Sequence, residues 1–254
     1  MLGAIYGDKV GSVYEYDQLK CIKSIDPIEL ILPNSFYSDD TIETVAIIDA
    51  IINNKEYGST LREYILQNEN YIPNHRPYFK NSFSPRTIKW ARGIGKNDSI
   101  GNGAMMRISP VGYLFNTEEE VRENAYLATI PSHNSQDAIE FATIVALMIF
   151  YFRNGLTKEN VFDKLNLCIK YVPFLKFNTT CKETLGNCLY AIYMSESFED
   201  AIRKVLLMGG DTDTNACIVG SVAEALYGMS ETQKEESLDN LPDEFKKILK
   251  KVYR

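Results

Sequence analysis

Residues 209–214 read Gly-Gly-Asp-Thr-Asp-Thr, which places two carboxylates two residues apart among hydroxyl groups. Carboxylate, hydroxyl and water oxygens are the ligands that Mg²⁺ and Mn²⁺ prefer, so Asp211, Asp213 and Thr214 could form part of a divalent-cation site. The same residues could instead begin a helix, with an aspartate or threonine as the N-cap after a glycine turn. This stretch alone does not decide between the two interpretations.

A second acidic stretch, Tyr-Ser-Asp-Asp-Thr at residues 37–41, runs into a segment whose apolar residues have helical spacing. Ser38, Asp39 and Asp40 repeat the combination of hydroxyl and carboxylate groups seen at 209–214. Helix capping again offers a simpler interpretation, because serine and aspartate are favoured at helix starts. Two such stretches in one chain favour a shared cation site over two unrelated caps.

A glycine-rich segment at residues 93–103 ends in Gly101, Asn102 and Gly103 and leads into an apolar helix that Pro110 interrupts. A loop that opens into a helix N-terminus presents backbone N–H groups, which suit an anion such as a diphosphate. The pattern is neither a Walker A loop nor a Rossmann fingerprint, and a simple turn is the alternative. His133 lies in another loop, where a lone histidine most often makes an ordinary surface or hydrogen-bonding contact.

The elements that must position these residues are all predicted to be helices. The N-terminal segment to Val13 is apolar, with Gly3, Gly7 and Gly11 at four-residue spacing, which predicts close approach by another backbone. No segment shows the alternation expected of a strand, so we expect one all-α domain over residues 1–254 with about ten or more helices. Predicted N-caps include Thr117, Thr157, Ser197 and Ser230, and the later helices are expected at 158–170, 182–194, 198–208, 212–228, 231–238 and 243–253.

The composition limits the classes of function. The 254 residues carry a formal net charge of −7, which argues against a broad nucleic-acid-binding surface. No apolar run approaches the roughly 20 residues needed to span a membrane, and the N-terminus does not resemble a signal peptide. Five cysteines without an export signal predict reduced thiols. We therefore expect a cytoplasmic, monomeric protein that does not bind nucleic acid through a broad charged surface.

Five separated blocks together resemble the ADP-ribosylglycohydrolase family, which includes the dinitrogenase reductase-activating glycohydrolase and the metazoan ADP-ribosyl-acceptor hydrolases. Each block is weakly specific by itself, but all five occur in the family's order from one end of the chain to the other. The blocks are residues 3–15 (Gly-Ala-Ile-Tyr-Gly-Asp-Lys-Val-Gly-Ser-Val-Tyr-Glu), 37–41, 101–112 (Gly-Asn-Gly-Ala-Met-Met-Arg-Ile-Ser-Pro-Val-Gly), 132–134 (Ser-His-Asn) and 209–214.

The resemblance implies an all-α fold with two Mg²⁺ ions between helices, Mn²⁺ being an alternative cation. It further implies a magnesium-dependent hydrolase that releases ADP-ribose from a modified protein side chain, a nucleic acid or a small ADP-ribosyl compound. Carried over position by position, it assigns the metal ligands to Ser38, Asp39, Asp40, Asp211, Asp213 and Thr214, ADP-ribose contacts to Gly101, Asn102, Gly103, Ala104, Met105 and His133, and catalysis to the mobile-flap residue Glu15.

Glycosidic cleavage at ribose passes through a state that resembles an oxocarbenium ion, for which most glycosidases supply two carboxyl groups. With the four aspartates committed to cations, Glu15 is the carboxylate left to activate water or protonate the leaving group. Its setting in Gly-Ser-Val-Tyr-Glu resembles hydrolases of serine-linked ADP-ribose, which is a hint and not an assignment.

The sequence departs from the family pattern at three positions. Ser38 replaces a usual threonine, Lys9 a usual small residue, and Ile100 a tyrosine found in several relatives. We therefore expect a tyrosine or phenylalanine of residues 71–83 to stack on adenine. Two alternatives remain open: a degenerate family member that only binds ADP-ribose or is structural, and a magnesium-dependent hydrolase of phosphate esters.

Overall fold

A computed structural model describes residues 1–14, 29–73, 82–169 and 177–253. These ranges contain fourteen α-helices, two isolated β-bridges and no strand, which confirms the predicted all-α fold. None of the described helices is long and apolar enough to cross a membrane. In chain order they are α1 (Leu2–Gly11), α2 (Asp39–Ile52), α3 (Tyr57–Gln67), α4 (Pro85–Ala91), α5 (Gly103–Met106), α6 (Ser109–Leu114), α7 (Glu118–Thr129), α8 (Gln136–Arg153), α9 (Lys158–Lys164), α10 (Cys181–Met194), α11 (Phe198–Leu207), α12 (Thr212–Tyr227), α13 (Glu231–Leu238) and α14 (Asp243–Val252).

Side-chain caps define many of the helix starts, as the sequence predicts. Thr117, Thr157, Ser197 and Ser230 each accept a hydrogen bond from the backbone N–H three residues later. Such a bond satisfies one of the N–H groups that have no partner inside the helix, which is why serine and threonine are favoured there. The predicted positions of these four caps are confirmed.

One helix ends well before the sequence-based expectation. The helix expected over residues 158–170 ends at Lys164, because Asn166 adopts a positive φ of 51° and reverses the chain. The N–H of Leu167 then donates to the Phe162 carbonyl over 2.8 Å, which closes a Schellman-type end. The interruption expected at Pro110 is confirmed: α5 ends at Met106, and Pro110 lies in the first turn of a separate helix, α6, where its fixed φ suits a helix start.

The centre of the fold is the contact between α1 and α12, two helices whose glycines allow their backbones to meet. A Cβ atom added at Gly7 would lie 2.0 Å from the carbonyl oxygen of Ala216, and one at Gly11 would lie 2.2 Å from that of Thr212. Both distances are too short for real atoms, so neither position accepts a side chain without moving α1. The predicted close approach along the glycine stripe is confirmed, and it fixes the N-terminal end of α12 against α1.

Candidate active site

Three buried aspartates from three helices converge where α1, α2 and α12 meet. Asp8 belongs to α1, Asp40 to the first turn of α2 and Asp213 to the first turn of α12. One carboxylate oxygen from each lies within 4.8 Å of the other two, an arrangement that could hold a metal ion. The two acidic stretches singled out in the sequence therefore belong to one site, although 173 residues separate Asp40 from Asp213.

Asp8 was not among the ligands predicted from the sequence, and its hydrogen bonds give it a distinct role. Its carboxylate accepts from the backbone N–H and hydroxyl of Ser38, at 2.9 and 2.8 Å, and from those of Thr41, at 3.1 and 2.5 Å. Three of these bonds end on Oδ2 and one on Oδ1, so Oδ1 keeps a lone pair for a cation. Asp8 thus shapes the turn that presents Asp40 and can also take part in the cation site.

Asp40 shows that this cluster fits a cation. The Thr214 hydroxyl donates to Asp40 Oδ2 over 3.2 Å and the Ser38 hydroxyl oxygen lies at the same distance from it, whereas the buried Oδ1 has no hydrogen-bond partner within the described part of the chain. Burial raises the pKa of Asp40 well above its usual range, and the charges of Asp8 and Asp213 raise it further. A bound divalent cation would satisfy the oxygen and relieve the repulsion, so the donor set fits a hard metal ion.

Five of the six residues predicted as metal ligands border a single cavity of about 620 Å³. The sixth, Ser38, is buried, caps α2 and donates its hydroxyl hydrogen to Asp8 Oδ1 over 2.8 Å. The capping interpretation of this stretch is therefore also correct, since one residue caps the helix and supports the site. The cavity-lining members of the predicted ligand set are Asp39, Asp40, Asp211, Asp213 and Thr214.

Asp211 is held between two asparagines. Asn102 Nδ2 donates to Asp211 Oδ2 over 2.7 Å, and the Asp211 backbone N–H donates to Asn178 Oδ1 over 2.8 Å. Burial, and next the neighbouring Asp213, raise the pKa of Asp211 well above its usual range. The glycine-rich loop and the 209–214 turn consequently form adjoining walls of the cavity.

The glycine-rich loop does not present the row of free N–H groups expected from its sequence. The N–H groups of Gly101 and Asn102 donate to Ser99 Oγ and the Thr179 carbonyl, at 3.1 and 2.9 Å. Those of Ala104 and Met105 donate back into the loop. Four N–H groups of the expected anion cradle are therefore already used within the protein.

The members of the predicted ADP-ribose set occupy different positions relative to the cavity. Gly101, Asn102, Gly103 and His133 line it. Ala104 and Met105 are fully buried in α5, and the structure does not bring them to the cavity surface, where Met106 lies instead. Within the block at residues 101–112, the apolar side chain that borders the cavity is therefore Met106.

The lining of the cavity also includes aromatic and positively charged groups. Phe83, Trp90 and Phe177 line it together with Arg86 and Lys96. Phe83 lies in the 71–83 segment expected to supply an aromatic ring, of which residues 74–81 fall outside the described ranges. Tyr71 takes a different place: its ring stacks on Tyr37 with centroids 4.5 Å apart. Sequence reasoning did not identify Arg86, Lys96 or Phe177 as residues of the site.

Glu15, the predicted catalytic carboxylate, also lies outside the described residues, and its role stays a prediction. Tyr14, directly before it, is buried and is the last described residue of this segment.

Comparison with known proteins agrees with this fold. A model of the ADP-ribosylglycohydrolase family matches residues 1–253. The ADP-ribosylarginine hydrolase Tri1 of Pseudomonas putida (strain GB-1) is 22% identical over 260 residues, covering 91% of this chain and 70% of that protein. ADP-ribosylhydrolase ARH3 of Mus musculus is 22% identical over 308 residues, covering 91% and 83%. A solved structure of an ADP-ribosylglycohydrolase-related protein complex aligns with a TM-score of 0.74 at 20% identity, covering 100% of this chain and 96% of that one.

The chain belongs to the ADP-ribosylglycohydrolase family, since the family match spans nearly its whole length. The resemblance noted in the sequence is confirmed, and the protein is an enzyme that hydrolyses ADP-ribose linkages. Its buried acidic cluster could hold the metal of such an enzyme.

Proposed function

We propose that this protein is a magnesium-dependent hydrolase that cleaves the N- or O-glycosidic bond between ADP-ribose and an acceptor, reversing ADP-ribosylation. The observation that carries the proposal is that carboxylates, aromatic rings and cationic groups line one cavity of about 620 Å³. ADP-ribose has matching parts: a ribose that must meet the reacting groups, a diphosphate that needs positive partners, and an adenine that needs apolar contact.

The acidic and the aromatic or cationic residues of the cavity have different proposed roles. Ser38, Asp39, Asp40, Asp211, Asp213 and Thr214 would hold Mg²⁺, two ions being the number we propose, and Asp8 adds a buried carboxylate beside Asp40 and Asp213. When bound, the cations would orient the ribose hydroxyls and lower the pKa of a bound water.

The aromatic and cationic residues of the cavity would bind the nucleotide part of ADP-ribose. Arg86 and Lys96 provide positive charge for the diphosphate, and Arg86 is already paired with Asp98 over 2.6 Å. Phe83, Trp90 and Phe177 provide apolar surface for adenine. His133 would donate a hydrogen bond to an oxygen of the ligand. Glu15, assigned from the sequence, would activate water or protonate the departing acceptor.

A release assay tests the proposal. The protein is incubated with serine-linked, arginine-linked and nucleic-acid-linked ADP-ribose and with O-acetyl-ADP-ribose, and free ADP-ribose is measured by chromatography, with Mg²⁺ and with a chelator. We expect release from at least one acceptor, only with Mg²⁺, and loss of release in Asp40→Ala. Failure to release ADP-ribose from every acceptor, or hydrolysis of phosphate esters alone, would contradict the proposal.

A further inference from the structure

His133 stands at the end of a chain of polar contacts that begins on α2. Arg107 Nη1 donates to Glu43 Oε2 over 2.5 Å, and Arg107 Nη2 donates to Ser132 Oγ over 2.6 Å. The Ser132 hydroxyl lies 2.7 Å from His133 Nδ1. The side chains of Arg107 and Glu43 are only 2% and 3% exposed. The chain of contacts is therefore largely buried and runs along the lining of the cavity to the His133 ring.

Arg107 decides which ring nitrogen of His133 carries the proton. A guanidinium has only donors, and its Nη2 lies 3.4 Å from His133 Nδ1, so a hydrogen on Nδ1 would face the N–H groups of a cation. Because Arg107 already donates to Ser132 Oγ, the serine keeps its own hydrogen to donate to Nδ1. Nδ1 is then the acceptor, and the proton of the neutral ring lies on Nε2.

The surroundings also keep the ring neutral. Burial, and next the positive charges of Arg107 and Arg86, hold the pKa of His133 well below its usual range. The nearby carboxylates do not reverse this effect, because Glu43 is paired with Arg107 and Asp98 with Arg86.

The cavity side of the ring is kept open by two glycines. Cβ atoms added at Gly101 and Gly103 would lie 3.6 and 3.5 Å from His133 Nε2, at contact distance. Larger side chains at these positions would crowd the Nε2–H group. The loop therefore leaves room beside this nitrogen for a ligand atom.

We propose that Glu43, Arg107 and Ser132 are positioning residues that hold His133 as a neutral ring with its Nε2–H presented to the cavity, where it donates to an oxygen of ADP-ribose. The identity of that ligand rests on the proposed function, whereas the tautomer does not. A buried ion pair is weak evidence for stability, since desolvation of the two charges can exceed their attraction. The Glu43–Arg107 pair is therefore better explained by its positioning of His133 than by a contribution to stability.

Nitrogen NMR on the intact protein labelled with ¹⁵N-histidine tests the tautomer directly. The chain has only two histidines, so a His75→Gln variant assigns the remaining signals to His133. We expect an Nδ1 signal typical of a lone-pair nitrogen and an Nε2 signal typical of a protonated neutral ring, unchanged between about pH 5.5 and 8 around the ordinary histidine pKa. A proton on Nδ1, a mixture of tautomers or a charged ring in this range would overturn the proposal.

Variants test the positioning residues, and ligand titration tests the ligand. Ser132→Ala should shift the Nδ1 signal, because that nitrogen loses its hydrogen-bond donor, while Ser132→Thr, which keeps the hydroxyl, should retain the wild-type signals. Arg107→Lys should give a mixture of tautomers, because a lysine cannot contact Glu43 and Ser132 with one fixed fork. If Ser132→Ala and Arg107→Lys both fold and leave both nitrogen signals unchanged, the proposal fails.

Titration with ADP-ribose separates this inference from the proposed function. We expect ADP-ribose to shift the Nε2 signal and Ser132→Ala to weaken its binding about tenfold, the effect of losing one good hydrogen bond. Normal binding without an Nε2 shift would overturn the ligand role of His133. Absence of any ADP-ribose binding, together with the expected tautomer, would count against the proposed function and leave the positioning role supported.

Discussion

Asn102 Nδ2 donates a hydrogen bond to Asp211 Oδ2 across 2.7 Å, joining two segments 109 residues apart in the sequence. Both residues line the cavity, Asn102 in the glycine-rich loop and Asp211 at the start of α12. Asn102 thus connects the glycine-rich loop, which is expected to contact ADP-ribose, with the turn that is proposed to bind the cation.

Replacing Asn102 by alanine should weaken cation binding, because Asp211 would lose the donor that orients it. A hydrogen bond to a charged group contributes about 1.5–3 kcal/mol, so we expect Mg²⁺ affinity to fall roughly 10- to 100-fold. Isothermal titration calorimetry with Mg²⁺ measures the effect. Asn124→Ala is the matched control, because it removes a half-buried amide that donates to the Glu120 carbonyl and accepts from the Tyr57 hydroxyl, outside the lining of the cavity. Equal affinities in both variants would show that Asn102 does not support the cation site.

Asp8 predicts how the metal-free protein responds to pH. Burial, and next the charge of Asp213, raise the pKa of Asp8 to about 7 from 3.8. A carboxyl group whose pKa is raised on folding stabilises the protein at low pH, and that contribution disappears as pH rises through the folded-state value. In a chelator, the melting temperature should therefore fall between about pH 4 and 7.5, by roughly 2–4 °C for each kcal/mol lost.

Two comparisons check this pH prediction by differential scanning fluorimetry. Saturating Mg²⁺ should reduce the loss of stability at neutral pH, because a cation favours the charged carboxylates. Asp8→Asn should flatten the pH profile in chelator. A wild-type melting temperature that rises steadily from pH 4 to 7.5 in chelator would contradict the prediction.

The contact between α1 and α12 predicts a steric effect at Gly7. An alanine there would place Cβ 2.0 Å from the Ala216 carbonyl oxygen, which forces the helices apart. We expect Gly7→Ala to cost more than about 3 kcal/mol, the upper part of the range for overpacked cores. Gly155→Ala is the control: it has no atom within 4 Å but a φ of +84°, and should cost about 1–2 kcal/mol. Urea unfolding measures both, and similar losses would show that backbone contact is not what requires Gly7.

Much of this arrangement could be predicted from local sequence, because helix period and capping depend on residues close together in the chain. The glycines at four-residue spacing in α1 also predicted a contact with another backbone, but the sequence did not identify α12 as the helix that makes it. Asp8 and Arg107 were missed as parts of the site because their partners, Ser38 and Ser132, are brought to them only by folding. Each did leave a local signal: Asp8 is the one acidic residue of the apolar helix α1, and Arg107 is a charged residue between Met106 and Ile108.

Glu15 yields the sharpest test of the proposed chemistry, because its assignment comes from the sequence and lies outside the described residues. If Glu15 moves a proton to or from water or the departing acceptor, Glu15→Gln should keep ADP-ribose binding within about threefold. The same variant should lose roughly 10²–10⁴-fold in turnover, the usual contribution of a general acid or base. Calorimetry with ADP-ribose and the release assay with the best acceptor measure the two effects separately.

Glu43→Gln supplies a contrast for Glu15→Gln among the described carboxylates. Glu43 also borders the cavity, but it is paired with Arg107 and should act through position alone. Removing its charge leaves Arg107 buried without its partner, so the variant should lose thermal stability, and turnover should fall together with ADP-ribose affinity. Of these two variants, only Glu15→Gln is then expected to lose turnover while its affinity for ADP-ribose is unchanged. Full turnover by Glu15→Gln would remove Glu15 from the reaction and require another residue to handle the proton.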